Sequence, residues 1–283
     1  MKCRRLIGKM GKILMGKLLL GSILFLMFSC TEKIQWDLKY QEENLIVVEA
    51  KITNEVKRHE VKLTRPVLEI NGIPAPITGA QVQINDGREI HALREDPLRP
   101  GTYLTEPDFA GEVKKGYQLR IRIGDKLITA IAFMRAVTPF QFMRPYQVEY
   151  NPPLFEVYVS NSDNGPAIVR MELDWSHLPG YDTLPHEQNH ALIYHYTLNS
   201  VDVNRIFSPD QEHVRFPPGT IVFREKESVS KEYEEFLRGV LSETDWRGGV
   251  FDVLPGNART NLSEGAIGYF TAAEVIRDTV VIN

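Results

Sequence analysis

Cysteine is almost absent: Cys3 and Cys30 are the only two in 283 residues. That scarcity excludes a disulfide scaffold and any paired-cysteine metal or redox site, and it leaves the chain to be stabilised by its own core. A hydrophobic content of 43% is enough to build one. Also missing are a Gly-rich phosphate loop and a G-x-S-x-G nucleophile elbow, so nucleotide-binding and serine-hydrolase chemistry have no motif to rest on. Long apolar runs are scarce as well. The pronounced one, Leu18 to Phe28, covers eleven residues, short of the roughly 20 that a bilayer span requires.

What is present begins with charge. Six basic and no acidic residues precede Leu18, the apolar run follows, and it stops at Ser29-Cys30 before the polar "TEK". This order is that of a secretory signal over residues 1–29, and it resembles a bacterial lipobox, in which cleavage falls before a cysteine that then carries lipid. Met27 and Phe28 stand where leucine and a small residue are usual, a loose form similar to the lipoboxes of Bacteroidota. Cys30 is therefore the expected lipid-attachment residue, and residues 30–44 read as a polar tether. Losing residues 1–29 would remove six of the 33 basic residues and none of the 37 acidic ones, moving the net charge from −4 to about −10. An acidic surface argues against nucleic acid and against electrostatic docking on anionic lipid, and the membrane link is expected through the acyl chains alone.

Beyond the tether the pattern is β. "LIVVEAKIT", "HEVKLTR", "GAQVQI", "REIHALRED", "GYQLRIRIGD" and "KLITAIAFM" alternate apolar with polar residues and are punctuated by turns such as "NDG". Leu119, Ile121 and Ile123 alternate with Arg120 and Arg122, and Val82 and Ile84 with Gln81, Gln83 and Asn85. Residues 45–137 read as an antiparallel sandwich that looks like immunoglobulin-like or transthyretin-like modules. Prolines in "RAVTPFQFMRPYQVEYNPP" mark a boundary near residue 138. A second β domain over residues 138–283 carries one helix, 230–242, in which Tyr233, Phe236, Leu237, Val240 and Leu241 share a face and Ser230 caps the start. The expected fold is thus mostly β, two antiparallel sandwich-like domains with one amphipathic helix packed on the second.

Three local features bear on function. "HEQNH" places His186, Glu187 and His190 in the spacing that zinc proteases use on a helix. Here Pro185 forces any helix to begin at the motif, and Ala191–Leu198 alternates as a strand, so the spacing is expected to straddle a loop and a strand start. Five of the seven histidines, His177, His186, His190, His195 and His213, lie within 37 residues. Loop or core histidines are the preferred reading, then a non-catalytic metal site using His186, His190 and His213, then a zinc hydrolase with Glu187 as base. No cofactor is expected. Trp246-Arg247 on a glycine-rich loop is the candidate partner or ligand contact, set against simple packing of the tryptophan under that loop. Asn261-Leu262-Ser263 matches a glycosylation pattern too short to carry an assignment.

The C-terminal stretch 219–275 adds a family resemblance. A strand at Ile221–Phe223, an aromatic helix at Tyr233–Leu241, Gly256-Asn257 with Asn261, and "GAIGYF" at 265–270 resemble the end of the Bacteroidota lipoproteins classed as domain of unknown function 4249. "CTEKIQWDL" and "VVEAKITNE…HEVKLTR" fit as well, extending the resemblance over nearly the whole mature chain. It implies an outer-membrane lipoprotein, often encoded beside a TonB-dependent receptor, and implies no reaction. Both the periplasmic and the cell-surface face stay open, because a lone Glu32 after Cys30 gives no orientation. Gly265 and Gly268, with Ile267, Tyr269 and Phe270 for bulk, read as a final strand that closes the sheet.

Overall fold

The computed structural model describes residues 45–67, 71–140, 143, 145–157, 165–197, 213–244 and 258–283. Seven strands come first: β1 (Ile46–Thr53), β2 (Glu60–Thr64), β3 (Gln81–Asn85), β4 (Ile90–Glu95), β5 (Thr102–Leu104), β6 (Gly116–Ile123) and β7 (Lys126–Phe133). They alternate as the sequence predicts. Val82, Ile84, Leu119, Ile121 and Ile128 are buried, while Arg120 and Arg122 are exposed. There follow β8 (Pro145–Tyr150), β9 (Pro153–Val157), β10 (Ala167–Asp174), a one-turn helix α1 (His186–Asn189), β11 (His190–Thr197), β12 (Ile221–Ser228), the main helix α2 (Lys231–Thr244), β13 (Ala266–Ala273) and β14 (Val275–Val281). The protein is mostly β.

The first sheet has eight strands in the order β13-β1-β2-β5-β4-β3-β6-β7. Seven of them lie before residue 134, and the eighth comes from near the C-terminus. β13 pairs parallel with β1, from Ile46↔Ala266 to Thr53↔Ala273, while its other ladders are antiparallel. The two ends of the sheet then meet, through bridges Ala130↔Leu262 and Arg135↔Ala273, so that it curls into a nearly closed barrel. Ile46, Val48 and Ile52 from one side share a single core with Val82, Leu119 and Ile128 from the other. Each such side chain contributes about 1.5–3 kcal/mol when fully buried, so this core is a principal source of the fold's stability.

The seam between β7 and β13 is held by side chains that act as backbone. Asn261 Nδ2 donates to Ile131 O at 2.9 Å and to Phe270 O at 2.7 Å, and its Oδ1 accepts from Phe270 N at 3.1 Å. Ser263 repeats the device on Thr129: Ser263 N donates to Thr129 O at 2.9 Å and Ser263 Oγ accepts from Thr129 N at 3.0 Å. Both belong to the Asn-Leu-Ser triplet, whose middle residue, Leu262, is buried in the barrel core.

The second sheet is antiparallel, β11-β10-β12-β14. One face buries Val169, Met171, Leu173, Trp175 and Val222, with Phe216 and Ile282. The β8–β9 hairpin adds Phe155 and Val157 there, Phe155 exchanging both backbone hydrogen bonds with Phe216 at 2.8 and 3.0 Å. At one end of the other face lies α2, where Leu237 and Leu241 pack with Ile168, Tyr196, Tyr233 and Phe236. Ser230 caps the helix as expected, its Oγ accepting from Tyr233 N at 3.1 Å. The rings of Tyr233 and Phe236 also lie 4.9 Å from that of Tyr269 on β13. The helix therefore fills the angle between the two sheets.

Only Glu274 separates β13 from β14, so one extended run serves both sheets, a common way for a chain to turn a corner between packed sheets. Gly268 lies on this run with φ +97°, and a Cβ there would stand 2.2 Å from Val48 O. Gly87, at φ +87° in a hairpin turn, would meet nothing within 4 Å. Gly87→Ala is expected to cost about 1–2 kcal/mol, the left-handed penalty alone. Gly268→Ala must also break the β1–β13 register, and a loss above about 3 kcal/mol is expected in denaturant unfolding.

Candidate functional site

The HEQNH segment is a single helical turn followed at once by a strand. Pro185 precedes α1 without a capping side chain, and His190 already has extended backbone (φ −135°, ψ 153°). The expected loop is thus one turn of helix, and the strand begins at the motif's second histidine. Without helical continuation the two histidines do not aim at a shared point. Their rings stack face to face, with centroids 4.0 Å apart and planes 7° from parallel. Both nitrogens of His190 are engaged, Nδ1 with Asn189 Oδ1 at 2.5 Å and Nε2 with Asp174 Oδ1 at 3.3 Å. Glu187 is exposed.

The residue that this segment depends on is Asn189. Buried, it donates from Nδ2 to Tyr181 O and Leu184 O, each at 3.1 Å. Its own carbonyl accepts from Trp175 N at 3.0 Å, and Trp175 Nε1 donates to Gln188 O at 3.1 Å. The loop from Trp175 to Asn189 is clamped by these two side chains.

His213 belongs to a different cluster. Its Nδ1 lies 3.0 Å from Glu156 Oε2, and the same carboxylate accepts from Tyr146 Oη at 2.7 Å and Arg215 Nε at 3.2 Å. Hydrogen bonds from Tyr146 first and His213 next hold the Glu156 carboxyl below its ordinary range, against burial that raises it. The structure thus brings His186 and His190 together and pairs His213 with Glu156. Among the described residues no group of three or more His, Cys, Asp and Glu side chains is placed to hold a metal ion. Cys30, Trp246 and Arg247 lie outside the described residues.

A cleft of about 410 Å³ opens where the sheets meet. Arg135, Val137, Thr138, Pro166, Lys231 and Glu234 line it. Its walls are tied across the junction. Ser228 Oγ donates to Arg135 O at 2.7 Å, Val137 N donates to Glu274 Oε2 at 2.7 Å, and buried Lys226 Nζ donates to Thr138 Oγ1 at 2.8 Å. Nearby, Lys51 of β1 donates to both oxygens of buried Glu227 of β12, at 2.7 and 2.8 Å. Two cations and one carboxylate in an open cleft can bind a polar group, but the lining holds no nucleophile beside a general base. Nothing in the sequence pointed to this junction, since its parts come from four separated segments.

Histidine chemistry is most perturbed outside the cluster. His59 is buried against Phe109, ring centroids 5.4 Å apart. Its Nδ1 accepts from Thr53 N at 3.3 Å, so Nε2 carries the proton facing Phe109 O at 3.2 Å. Burial first, and the Lys57 charge second, lower its pKa from 6.5 to about 4.

These features define a β-rich protein with two main sheets and a separate β8–β9 hairpin. The chain belongs to the family described as a domain of unknown function (DUF4249), whose model matches residues 31–279. No curated protein matches it.

Two outcomes follow from the side chains just described. Asn189→Ala, which strips the donor from two carbonyls, is expected to cost about 2–3 kcal/mol in denaturant unfolding, whereas Glu187→Gln should stay within about 0.5 kcal/mol. For His59 the unfolded chain binds the proton more tightly, at about 6.5 against about 4 folded. Its stabilisation is complete above pH 6.5 and is lost as pH falls toward 4, by about 3 kcal/mol. His59→Gln should flatten that part of the stability profile, whatever it does to stability at neutral pH.

Proposed function

We propose that the chain is an outer-membrane lipoprotein, anchored through an acylated Cys30, that acts as a non-catalytic binding or accessory module. The order of basic residues, an eleven-residue apolar run and Ser29-Cys30 carries this reading. Family membership from residue 31 supports it, since the match begins immediately after that cysteine. The arrangement of the histidines supports a non-catalytic role. A zinc hydrolase would require His186 and His190 to converge on one ion at about 2 Å each, and their rings are stacked with His190 committed elsewhere. The family resemblance suggests a TonB-dependent nutrient receptor as partner, and the tryptophan beside an arginine in the glycine-rich stretch 246–249 makes Trp246 and Arg247 the candidate contact. A tether confines the module close to integral proteins of its membrane, and the raised effective concentration lets a modest interface suffice.

In intact cells the wild-type chain is expected to take up labelled palmitate and to crosslink to one such receptor, more weakly after Trp246→Ala. Cys30→Ser should lose the label and wash off the membrane. An N-terminal peptide with unmodified Cys30 would sink the anchoring, and abundant anchored chain that crosslinks to no receptor would sink the partnership.

A further inference from the structure

The outer face of the barrel carries a feature that net charge conceals. β3, β6 and β7 read QVQIN, GYQLRIRI and KLITAIAF, three adjacent strands without one acidic residue in a chain of net charge −4. The register sets their outward side chains in rows: Gln81, Arg122 and Leu127; Gln83, Arg120 and Thr129; Asn85, Gln118 and Ile131. Along β7 the row edge is apolar, with Leu127 42%, Ile131 55% and Phe133 61% exposed. Alternate residues of a strand stand about 7 Å apart, so this stripe is about 20 Å long.

Beside it stand two cations. Arg94, Arg99, Arg170 and Arg215 each hold a carboxylate, whereas Arg120 and Arg122 have no ion-pair partner among the described residues. Exposed apolar side chains scattered singly are ordinary, but three along one strand, interrupted only by Thr129 and flanked by two cations, form a candidate interaction surface.

The geometry points to an anionic lipid surface as what this face binds. Charge is one reason. Within a Debye length of about 8–10 Å the local field acts, so a face that carries Arg120, Arg122 and Lys126 on its strands, against Asp125 in the β6–β7 turn, is attracted to anionic headgroups although the whole protein is acidic. The position of the chain's entry is the other. Ile46 N donates to Gly265 O at 3.3 Å, and Lys126 Nζ donates to the same oxygen at 3.0 Å, so the segment preceding β1 departs beside the first residue of the apolar stripe. Residues 31–44 reach at most about 50 Å when extended. A convex sheet face with long arginines at its flank suits a fluid interface, where apolar side chains enter the headgroup boundary and cations stay above it.

The point of chain entry bears on membrane contact through the proposed anchor at Cys30, whereas the charge and the exposed apolar side chains do not, so the chain from Thr31 onward, which keeps every described residue and lacks Cys30, tests the face apart from the anchor. It is expected to sediment with vesicles of phosphatidylethanolamine and phosphatidylglycerol, less with phosphatidylcholine alone, and less as salt rises. Arg120→Gln with Arg122→Gln should weaken partitioning about thirtyfold, and Gln118→Glu about fivefold, at about 1 kcal/mol per charge near an anionic surface. Arg170→Gln, in the second sheet, should change nothing, and far-UV spectra should match the wild type throughout. Wild-type chain that ignores anionic vesicles, or double and Gln118→Glu variants that bind as well as wild type, would overturn the inference. Capture of a membrane protein through the same residues without vesicle binding would overturn it too, by giving the face to a protein partner.

Discussion

The parallel ladder between β1 and β13 is the contact on which the rest of the fold is built. Parallel neighbours cannot be joined by a tight turn, and here the connection is the body of the protein between Thr53 and Ala266. Once β13 is docked, Asn261 and Ser263 are brought against β7 and the barrel closes. At the other end of the same run, β14 completes the second sheet one residue later. The barrel core, the seam and the junction therefore share one structural element, and Gly268 is glycine because that element must approach Val48 closely.

Much of the β architecture was legible in the sequence, because alternation is a local signal. Val82 and Ile84, or Leu119 and Ile121, declare their faces without knowledge of their neighbours. The helix was legible for the same reason: residues 230–242 were expected, and Lys231–Thr244 with Ser230 as its cap is observed. The closing role of residues 265–270 was readable from glycines beside bulky residues. Their partner was not, since nothing in "AIGYF" specifies a parallel pairing with a strand 220 positions away. Nor does the boundary expected near residue 138 describe how the strands are shared, for the first sheet takes one strand from beyond it.

The candidate site was legible only where backbone limits were strong. Pro185 denied HEQNH a mid-helix position, and the structure ends the helix within one turn. The clustering of five histidines in sequence carried no information about space, because β10, β11 and the hairpin send His190 and His213 to different carboxylates. Asn189 and Asn261 went unread as structural residues for a related reason. Both work by presenting an amide where a strand or turn would present backbone, and a side chain that imitates backbone leaves no periodic trace.

The placement of β1 has a mechanical consequence. The chain enters the barrel at the N-terminal end of this strand, between β13 on one side and β2 on the other. A pull applied through the preceding residues runs along the strand axis, across eight register pairs with β13 at once. Loaded in shear, the rungs share the force and must fail together, whereas a hairpin pulled open from its end surrenders them one by one. The barrel thus meets tension from its N-terminal side in the direction in which a sheet resists it best.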